Sequence, residues 1–494
     1  MSANTLASSS YAASTHVGTP NAETIHRSAW LGPAWSLGSV VARHAVSLVS
    51  TATAARFLLP ADYGLVGLIT SLIAFPLALA DLGLTWPTVQ KRELTWGQVN
   101  SLFRMNIATG LGLWGLTALM APAVAGWFGL SELTPLAIAF GAVFALNGLA
   151  VQPMAILSRR MEFRATFWTE SAGVAAGAMI LVALAVWGFG PWALAGQALV
   201  GSIVRTTLAF AWSGFRPGKA ATTSESASLF GFGACVATYT LINAVGRNLD
   251  NILIGRTWGL DALGFYTRAY FLMTVPVLLS AGALGAAEVS ALSSLAHDRN
   301  RMGARYRQAM RLSALAGMPI AGVLFVAAPE VVRVLYGTGW EPTALLFRWL
   351  LIASFTQTVI VPSGWLYLVA GKGRALLVFG TAATLVQVAA FIAGNRYGPE
   401  GVAAGYALAN LGLALPGLLA SHRAASLPLR PTLEAITPVV LASLCATSVG
   451  MSLGLIQGPR LLVFTLKIAM FSLVFGMGAA GQISLLHKLV KERP

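Results

Sequence analysis

The chain has 494 residues, of which 56% are hydrophobic and only 10% are charged, and its mean hydropathy is +0.72. Soluble domains carry about a quarter charged residues, so this composition excludes a soluble globular protein and predicts an integral membrane protein. A formal net charge of +15 is also typical of nucleic-acid-binding proteins. Membrane proteins collect Lys and Arg on cytoplasmic loops, however, and we attribute the charge to topology and expect no nucleic-acid partner.

The first 28 residues are rich in Ser, Ala and Thr and lack an apolar core. They are predicted to form a disordered cytoplasmic tail and not a signal peptide. Apolar runs of about 20 residues follow, each long enough to cross a hydrocarbon core as a helix. In the predicted N-terminal lobe, residues 29–213, such spans lie at about 35–58, 63–86, 101–125, 133–157, 166–188 and 190–213.

A polar cytoplasmic linker, residues 214–228, separates this lobe from a second one, residues 229–421. The region 422–494 adds two spans, at about 432–455 and 461–483, and a cytoplasmic C-terminus. We therefore predict an all-α polytopic membrane protein with about 14 transmembrane helices. The second lobe's spans lie at about 229–254, 262–295, 309–335, 345–370, 375–395 and 399–420.

Basic residues alternate between the two sides of this predicted topology. The cytoplasmic segments hold 20 of the 32 Lys and Arg residues, whereas the outer loops hold three, Arg256, Arg396 and Arg460. Because Lys and Arg are retained on the cytoplasmic side, this bias predicts that both termini lie in the cytoplasm.

The sequence also repeats itself at an offset of about 200 residues, which grows to 207–209 after the basic segment 298–307. An ordered series of matches with a single jump indicates a duplication. Each copy has an even number of spans, so the two six-helix lobes should be parallel repeats related by an axis along the membrane normal. The matches include Asp62 with Asp261, Gly64 with Gly264, Pro76 with Pro276, Arg104 with Arg311, and Gly190-Pro191 with Gly398-Pro399.

Ionisable residues inside the spans are the candidate site residues. A charge at the bilayer centre costs about 3 kcal/mol or more, so it normally faces a polar interior and serves a function. In the first span, Arg43 shares one helical face with Ser36, Ser39, Ser47 and Ser50.

The seventh span carries a similar stripe, Asn243, Arg247, Asp250 and Asn251, on the helix that the repeat makes equivalent to the first. We predict that Arg43, Arg247, Asn243 and Asn251, with Arg268 of the eighth span, bind substrate. The alternative is that Arg247 and Asp250, three residues apart, only neutralise each other. Predicted counter-ions or ion-coupling groups are Asp250, Glu288 and Asp81, with Glu170 a further carboxylate of this kind.

The spans hold more arginines than carboxylates, so a chamber between the lobes would attract anions. Guanidinium groups bind phosphate oxygens through paired hydrogen bonds, and a diphosphate therefore fits. No catalytic motif or metal-ligand spacing is found, so we predict a protein that is not an enzyme and has no metal and no cofactor. The spacing Gly173-x-x-x-Gly177 predicts close helix packing.

Several short motifs occur in order across residues 30–490. They are residues 58–68 (LLPADYGLVGL), 81–84 (DLGL), 248–255 (NLDNILIG), 263–266 (LGFY) followed by Arg268, and 335–337 (LYG) followed by Trp340. In this order they resemble the Wzx-like polysaccharide flippases of the multidrug/oligosaccharidyl-lipid/polysaccharide (MOP) exporter superfamily.

The resemblance implies transport of undecaprenyl-diphosphate-linked oligosaccharide repeat units across the bacterial inner membrane, for exopolysaccharide, capsule or O-antigen assembly. It also implies two lobes that alternate between inward-open and outward-open states around a cationic cavity, with two extra helices that add a groove for the lipid tail. Implied partners are the lipid-linked oligosaccharide, membrane lipids, and a polysaccharide polymerase with its co-polymerase.

Two alternatives remain open. A small-molecule exporter of the same superfamily would change drug sensitivity and leave surface polysaccharide intact. A membrane-embedded glycosyltransferase or polymerase would need a large polar region outside the membrane, which linkers mostly shorter than about 15 residues do not provide.

Overall fold

The computed structural model describes residues 22–80, 88, 95–219, 233–453 and 460–491, and every regular element in these ranges is helical. A helix satisfies its backbone hydrogen bonds internally, as a segment in hydrocarbon requires. The chain divides into two compact units, residues 1–248 and 249–494. The first unit contains α1 (Ala22–Ala54), α2 (Pro60–Ala80), α3 (Trp96–Phe128), α4 (Leu133–Arg159), α5 (Phe163–Val186) and α6 (Trp192–Ser213), and α7 (Gly233–Thr257) spans the boundary.

The second unit continues with α8 (Gly259–Val277), a π-helical turn (Leu278–Gly282) and α9 (Ala283–Ser294), followed by α10 (Arg299–Val326) and the short α11 (Ala328–Tyr336). It then contains α12 (Glu341–Val369), α13 (Gly373–Gly394), a 3₁₀ turn (Asn395–Tyr397), α14 (Gly398–Ala425), α15 (Arg430–Leu453) and α16 (Arg460–Lys491). The predicted all-helical class is confirmed. The count of fourteen spans, the repeat and the lobe boundaries stay predictions.

In the described residues, nine helical segments are long and apolar enough to cross a membrane. One of them, residues 373–425, comprises α13 and α14 joined by the 3₁₀ turn. Many large apolar side chains on these helices are exposed, including Leu119, Val378 and Leu408. Exposed apolar surface on this scale is suited to lipid and not to water.

Exposed tryptophans mark the ends of helices in the first unit. Trp127 ends α3, while Trp187 and Trp192 flank the short connection between α5 and α6. At the opposite ends of these last two helices lie Trp168 and Trp212. Tryptophan is enriched at both membrane–water interfaces, so these rings indicate two aromatic belts.

Glycines bring neighbouring helices of the first unit into backbone contact. A β-carbon added at Gly177 would lie 2.6 Å from the carbonyl oxygen of Gln197, and one at Gly173 would lie 2.9 Å from that of Gly201. The predicted close packing at these two glycines of α5 is therefore confirmed, and its partner is α6. In α3 and α4, a β-carbon at Gly148 would lie 2.5 Å from the carbonyl oxygen of Asn106.

The predicted span 309–335 is divided into two helices. It begins earlier than predicted, because the side chain of Asp298 accepts hydrogen bonds from the backbone N–H groups of Asn300 and Arg301 and caps α10. It ends at Val326, and α11 then begins at Ala328 with a proline as its second residue, which lacks a backbone donor and fits the first turn of a new helix. The basic segment 298–307 is therefore mostly helical.

The two C-terminal helices pack against α10. Ile436 and Val439 of α15 belong to the same apolar cluster as Met310 of α10, and Phe471 of α16 packs with Val326. An ion pair of 2.7 Å joins the Nζ atom of Lys467 in α16 to Glu330 in α11. These helices are thus part of the core of the second unit.

Candidate functional site

Three charged side chains from three helices meet inside the first unit. Arg43 of α1 donates from Nη1 to Oε2 of Glu170 in α5 at 2.9 Å, and Arg205 of α6 donates from Nε to Oε1 of the same carboxylate at 2.8 Å. Arg205 also donates from Nη1 to Oδ1 of Asn147 in α4, at 3.1 Å. We call Arg43, Glu170, Arg205 and Asn147 the arginine cluster.

Helix α1 is held in place by its packing on α5. The ring of Trp35 meets that of Phe167 edge-on at 5.3 Å, and the same phenylalanine lies at van der Waals distance from Gly38. Arg43 also donates from Nε to the carbonyl oxygen of Ser39, one turn earlier, at 3.2 Å. The Arg43 guanidinium is thereby aimed along α1 and towards Glu170.

Arg205 is positioned by its neighbours on α6. Thr206 donates from its hydroxyl to the carbonyl oxygen of Leu146 in α4, at 3.1 Å. On the other side, Gly173 follows Glu170 by three residues, and a β-carbon there would lie 3.1 Å from Cβ of Arg205. The small residue in α5 therefore lets Arg205 come close enough to reach the carboxylate.

The cluster has two cations and one anion and therefore carries an unbalanced positive charge. The side chains of Arg43 and Arg205 are each 31% exposed, and that of Glu170 is 17% exposed. Guanidinium groups of this kind bind carboxylates and phosphates. In the described residues, no group of three or more His, Cys, Asp or Glu side chains is arranged to hold a metal ion.

The depth of the cluster follows from its place in the helices. Glu170 lies seven residues after Phe163, where α5 begins, and Arg205 lies eight residues before Ser213, where α6 ends. At 1.5 Å per residue, both charges lie about 10–12 Å inside these helix ends. A bilayer core is about 30 Å thick, so the cluster lies within the membrane-spanning part.

The predicted polar stripe of α1 is partly buried. Ser39 and Ser50 are buried, Ser47 is half-buried, and Arg43 makes the contacts described above. The side chain of Ser36 lies outside the described residues. Substrate binding by Arg43 stays a prediction, and its observed partner is Glu170.

The predicted stripe of α7 is divided between exposed and buried positions. Arg247 is exposed, whereas Asp250 is only 2% exposed and Asn251 is half-buried. Asp250 accepts from the hydroxyl of Tyr266 at 2.8 Å and from the backbone N–H of Asn251 at 2.8 Å. The side chain of Asn243 lies outside the described residues, as does the whole of Asp81. The substrate-binding and ion-coupling roles stay predictions.

A chain of polar and aromatic side chains extends from Asp250 through the second unit. The ring of Tyr266 lies 6.3 Å from that of Tyr270, which lies 6.0 Å from that of Tyr406. The hydroxyl of Tyr406 accepts from Nε2 of Gln357 at 2.8 Å. These contacts join α8 to α12 and α14 through polar groups inside a mostly apolar bundle.

The buried Asp250–Tyr266 hydrogen bond is expected to contribute to stability. Tyr266→Phe should lower the free energy of unfolding by about 1.5–3 kcal/mol, because a buried carboxylate loses a donor. Asp250→Asn should change it by less than about 1 kcal/mol, because the amide oxygen can still accept from the backbone N–H of Asn251 while the amide NH2 donates to the hydroxyl oxygen of Tyr266. Thermal unfolding of the purified protein checks both values, with Tyr397→Phe, at a tyrosine 80% exposed, as the control. Equal stability of the Tyr266 and Tyr397 variants would contradict this assignment.

Arg268 lies over a phenylalanine ring in α8, and two of the sequence motifs meet in an aromatic group. Its Cζ atom is 5.7 Å from the centre of the Phe271 ring. Phe265 meets Trp340 edge-on at 5.8 Å, and Tyr336 lies 5.3 Å from the same indole. The motifs 263–266 and 335–337 are thus joined through Trp340, and substrate binding by Arg268 stays a prediction.

Glu288 forms a two-point ion pair with Arg305 of α10. The Nε atom of Arg305 donates to Oε2 at 3.0 Å, and Nη2 donates to Oε1 at 2.6 Å. Glu288 is nearly fully buried, with 6% of its side chain exposed. A bidentate pair of one cation and one anion fits a counter-ion that joins α9 to α10. Its ion-coupling role stays a prediction.

Sequence reasoning did not select Arg205 or Asn147. Arg205 is the single charged residue of the predicted span 190–213, and Glu170 is the single carboxylate of the span 166–188. The two residues are almost equally distant from the connection between α5 and α6. In an antiparallel pair of helices, such residues lie at the same height, and this symmetry was the signal available in the sequence.

A family model described as "Polysaccharide biosynthesis protein" matches residues 54–345, which is more than half of the chain. The chain belongs to this family. Of its relatives, the lipopolysaccharide biosynthesis protein WzxC of Escherichia coli is 22% identical over 77% of this chain and 78% of its own length. The succinoglycan biosynthesis transport protein ExoT of Rhizobium meliloti is 24% identical over 77% of this chain and 75% of its own length. The predicted family resemblance is confirmed.

Solved structures share the fold of this family member. A lipid II flippase, MurJ, in an inward closed conformation has a TM-score of 0.74 at 14% identity and covers 92% of this chain and 99% of its own. An inward-facing multidrug resistance MATE family transporter of the MOP superfamily has a TM-score of 0.62 at 17% identity and covers 78% and 94%. At these identities the likeness shows the fold alone, a polytopic helical membrane fold.

Proposed function

We propose that this family member translocates undecaprenyl-diphosphate-linked oligosaccharides from the cytoplasmic to the outer leaflet of the bacterial inner membrane, for surface polysaccharide assembly. It acts as a transporter and not as an enzyme. The arginine cluster carries the proposal, because two partly exposed guanidinium groups inside the membrane-spanning part form a cationic site. Two guanidinium groups, each with paired N–H donors, match the oxygens of a diphosphate headgroup.

Membership in a polysaccharide biosynthesis family supports this cargo. ExoT, a relative over three quarters of the chain, is named a transport protein for the biosynthesis of succinoglycan. The same fold occurs in a lipid II flippase. Transport of a lipid-linked sugar intermediate is compatible with both the family and the cationic site.

The physical task is to move a charged headgroup through hydrocarbon. An unpaired ion in an apolar medium is extremely costly, and arginines within the spans replace part of its hydration. An inside-negative potential favours outward movement of a dianion by about 2 × 2.3 kcal/mol per 100 mV. Export by this route therefore needs no chemical step on the headgroup.

The proposed architecture has two like-oriented six-helix lobes and two additional helices, with both termini in the cytoplasm. One contact within each unit supports the repeat. In the first unit, Oδ1 of Asp62 lies 3.4 Å from the position of a β-carbon on Gly190. In the second unit, Nε1 of Trp258 donates to the carbonyl oxygen of Asn395 at 3.0 Å, beside Gly398. Each contact joins the start of the second helix of a lobe to the start of the sixth helix of the same lobe.

Deletion of the gene is the direct test. We expect loss of surface polysaccharide and accumulation of its lipid-linked repeat unit on the cytoplasmic side, because assembly continues there while export stops. The measurement is mass spectrometry of extracted lipid-linked intermediates, with the wild-type gene on a plasmid as control. Unchanged surface polysaccharide together with altered drug sensitivity would instead support a small-molecule exporter.

A further inference from the structure

The carboxylate of Glu170 occupies the place that an anionic ligand of the arginine cluster would take. Its two oxygens bind different arginines, Oε2 with Arg43 and Oε1 with Arg205. It thereby bridges α1 and α6 from α5. A diphosphate, with one phosphoryl group for each guanidinium, would bridge the same two cations in the same way.

The two guanidinium groups retain donors for a further anion. Each arginine has five N–H donors. In the described part of the chain, Arg43 directs Nη1 to Glu170 and Nε to Ser39, and Arg205 directs Nε to Glu170 and Nη1 to Asn147. The Nη2 group of neither residue has a hydrogen bond there. Since both side chains are partly exposed, an incoming phosphate can bind before Glu170 leaves.

Two other buried or half-buried ion pairs among the described residues differ from this one. Glu288 binds the single Arg305 through both oxygens, and Glu330 binds the single Lys467. In the part of the chain that the structure describes, each of those carboxylates pairs with one cation, as in a structural ion pair. Glu170 pairs its one negative charge with two cations, so neither cation is fully neutralised. An excess charge inside a membrane-spanning unit indicates a site for a second anion.

We propose that Glu170 is a resident counter-ion that the diphosphate of the cargo displaces and that returns to expel it. This role rests on the proposed function and adds a residue that sets the affinity. When the site is empty, Glu170 holds both guanidinium groups in place. When cargo is bound, the two guanidinium charges balance the dianion, and the displaced Glu170 carboxylate is left without its two cations. The return of the carboxylate then competes with the headgroup and speeds its release.

Binding of undecaprenyl diphosphate to the full-length protein in nanodiscs tests this role. Glu170→Gln should tighten binding about tenfold, because a competing negative charge is removed while the amide oxygen still accepts a hydrogen bond. Transport in proteoliposomes should fall, because release slows. Glu170→Asp keeps the competing negative charge, so it should bind more weakly than Glu170→Gln. Inorganic diphosphate should follow the same order of variants, with weaker binding because it lacks the lipid tail.

A rescue experiment separates this role from a purely structural one. Arg43→Gln alone leaves one guanidinium neutralised by Glu170 and should weaken binding of undecaprenyl diphosphate about tenfold or more. Adding Glu170→Gln restores the net positive charge and should return binding to within about threefold of wild type. The double variant also keeps the net charge of the cluster at its wild-type value, so it is suited to measurement if Glu170→Gln alone fails to fold.

The outcomes are distinguishable. If the wild-type protein does not bind undecaprenyl diphosphate, the proposed function is wrong and the role of Glu170 is wrong with it. If the wild type binds, but Glu170→Gln weakens binding and does not rescue Arg43→Gln, Glu170 serves only to hold the arginines and the role proposed here is wrong.

Discussion

Replacement of both Arg43 and Arg205 by alanine is expected to reduce export of the lipid-linked oligosaccharide by at least about a hundredfold. Hydrogen bonds to charged groups contribute about 1.5–3 kcal/mol each, and the headgroup would lose at least two of them. Because Glu170 would be left as an uncompensated charge, the test uses the triple variant that also carries Glu170→Gln. Export is measured as surface polysaccharide in a strain that lacks the native gene, at equal protein level.

Two controls separate loss of the cationic site from loss of the protein. Lysine at both positions keeps the charge but lacks the planar fork, and an intermediate loss of about tenfold is expected. Arg430→Ala removes an arginine whose side chain is 91% exposed in a surface pair with Glu434, and export should be unchanged. Wild-type export by the folded triple variant would contradict a role of the arginine cluster in transport.

The sequence predicted Arg43 and the carboxylate Glu170, but neither their contact nor the part played by Arg205, for a physical reason. Periodicity along one helix shows which residues share a face, and this was sufficient for the stripe around Arg43. The contact with Glu170 and Arg205 depends on how closely α5 and α6 approach, and that distance is determined by Gly173 and Gly201. The glycine spacing by itself predicts only close packing, although here it also positions the charged residues beside it.

The stripe of α7 shows the limit of helical spacing. Arg247 and Asp250 are three residues apart and therefore differ by about 60° around the helix axis. The edge of the buried face falls between them, because Asp250 points to Tyr266 while Arg247 is exposed. Spacing predicts which residues are close on a surface, but packing by other helices decides which of them are buried.

The approximate positions of the spans were predictable, because the lengths of the apolar runs indicate them. Breaks within a span were harder to predict. The division between α10 and α11 lies beside Pro329, which has no backbone N–H to continue the hydrogen bonds of α10. The π-helical turn Leu278–Gly282 follows Pro276, whose ring prevents a regular backbone hydrogen bond. A membrane helix can accommodate a proline by a break, a kink or a π turn. The presence of a proline alone therefore did not indicate which of these occurs.

Substitution of Gly173 by leucine is expected to disrupt both the packing of the first unit and the arginine cluster. Even the first added carbon would lie 2.9 Å from the carbonyl oxygen of Gly201 and 3.1 Å from Cβ of Arg205, so α6 must move away from α5. Overpacking of this kind costs about 1–3 kcal/mol or more. The same movement withdraws Arg205 from Glu170, so export should be lost together with stability. Thermal unfolding and surface polysaccharide are measured on the same variant.

The matched control is Gly112→Leu in α3, at an exposed glycine where an added β-carbon has nothing within 4 Å. This leucine points to open space at the surface of the unit, and neither stability nor export should change. Gly173→Ala tests the same contact more mildly, because the β-carbon alone already meets backbone atoms, and it should lie between wild type and Gly173→Leu in both measurements. If Gly173→Leu unfolds at the temperature of Gly112→Leu and exports normally, α5 and α6 do not approach as described. The Arg205–Glu170 contact, which needs that approach, would then be wrong as well.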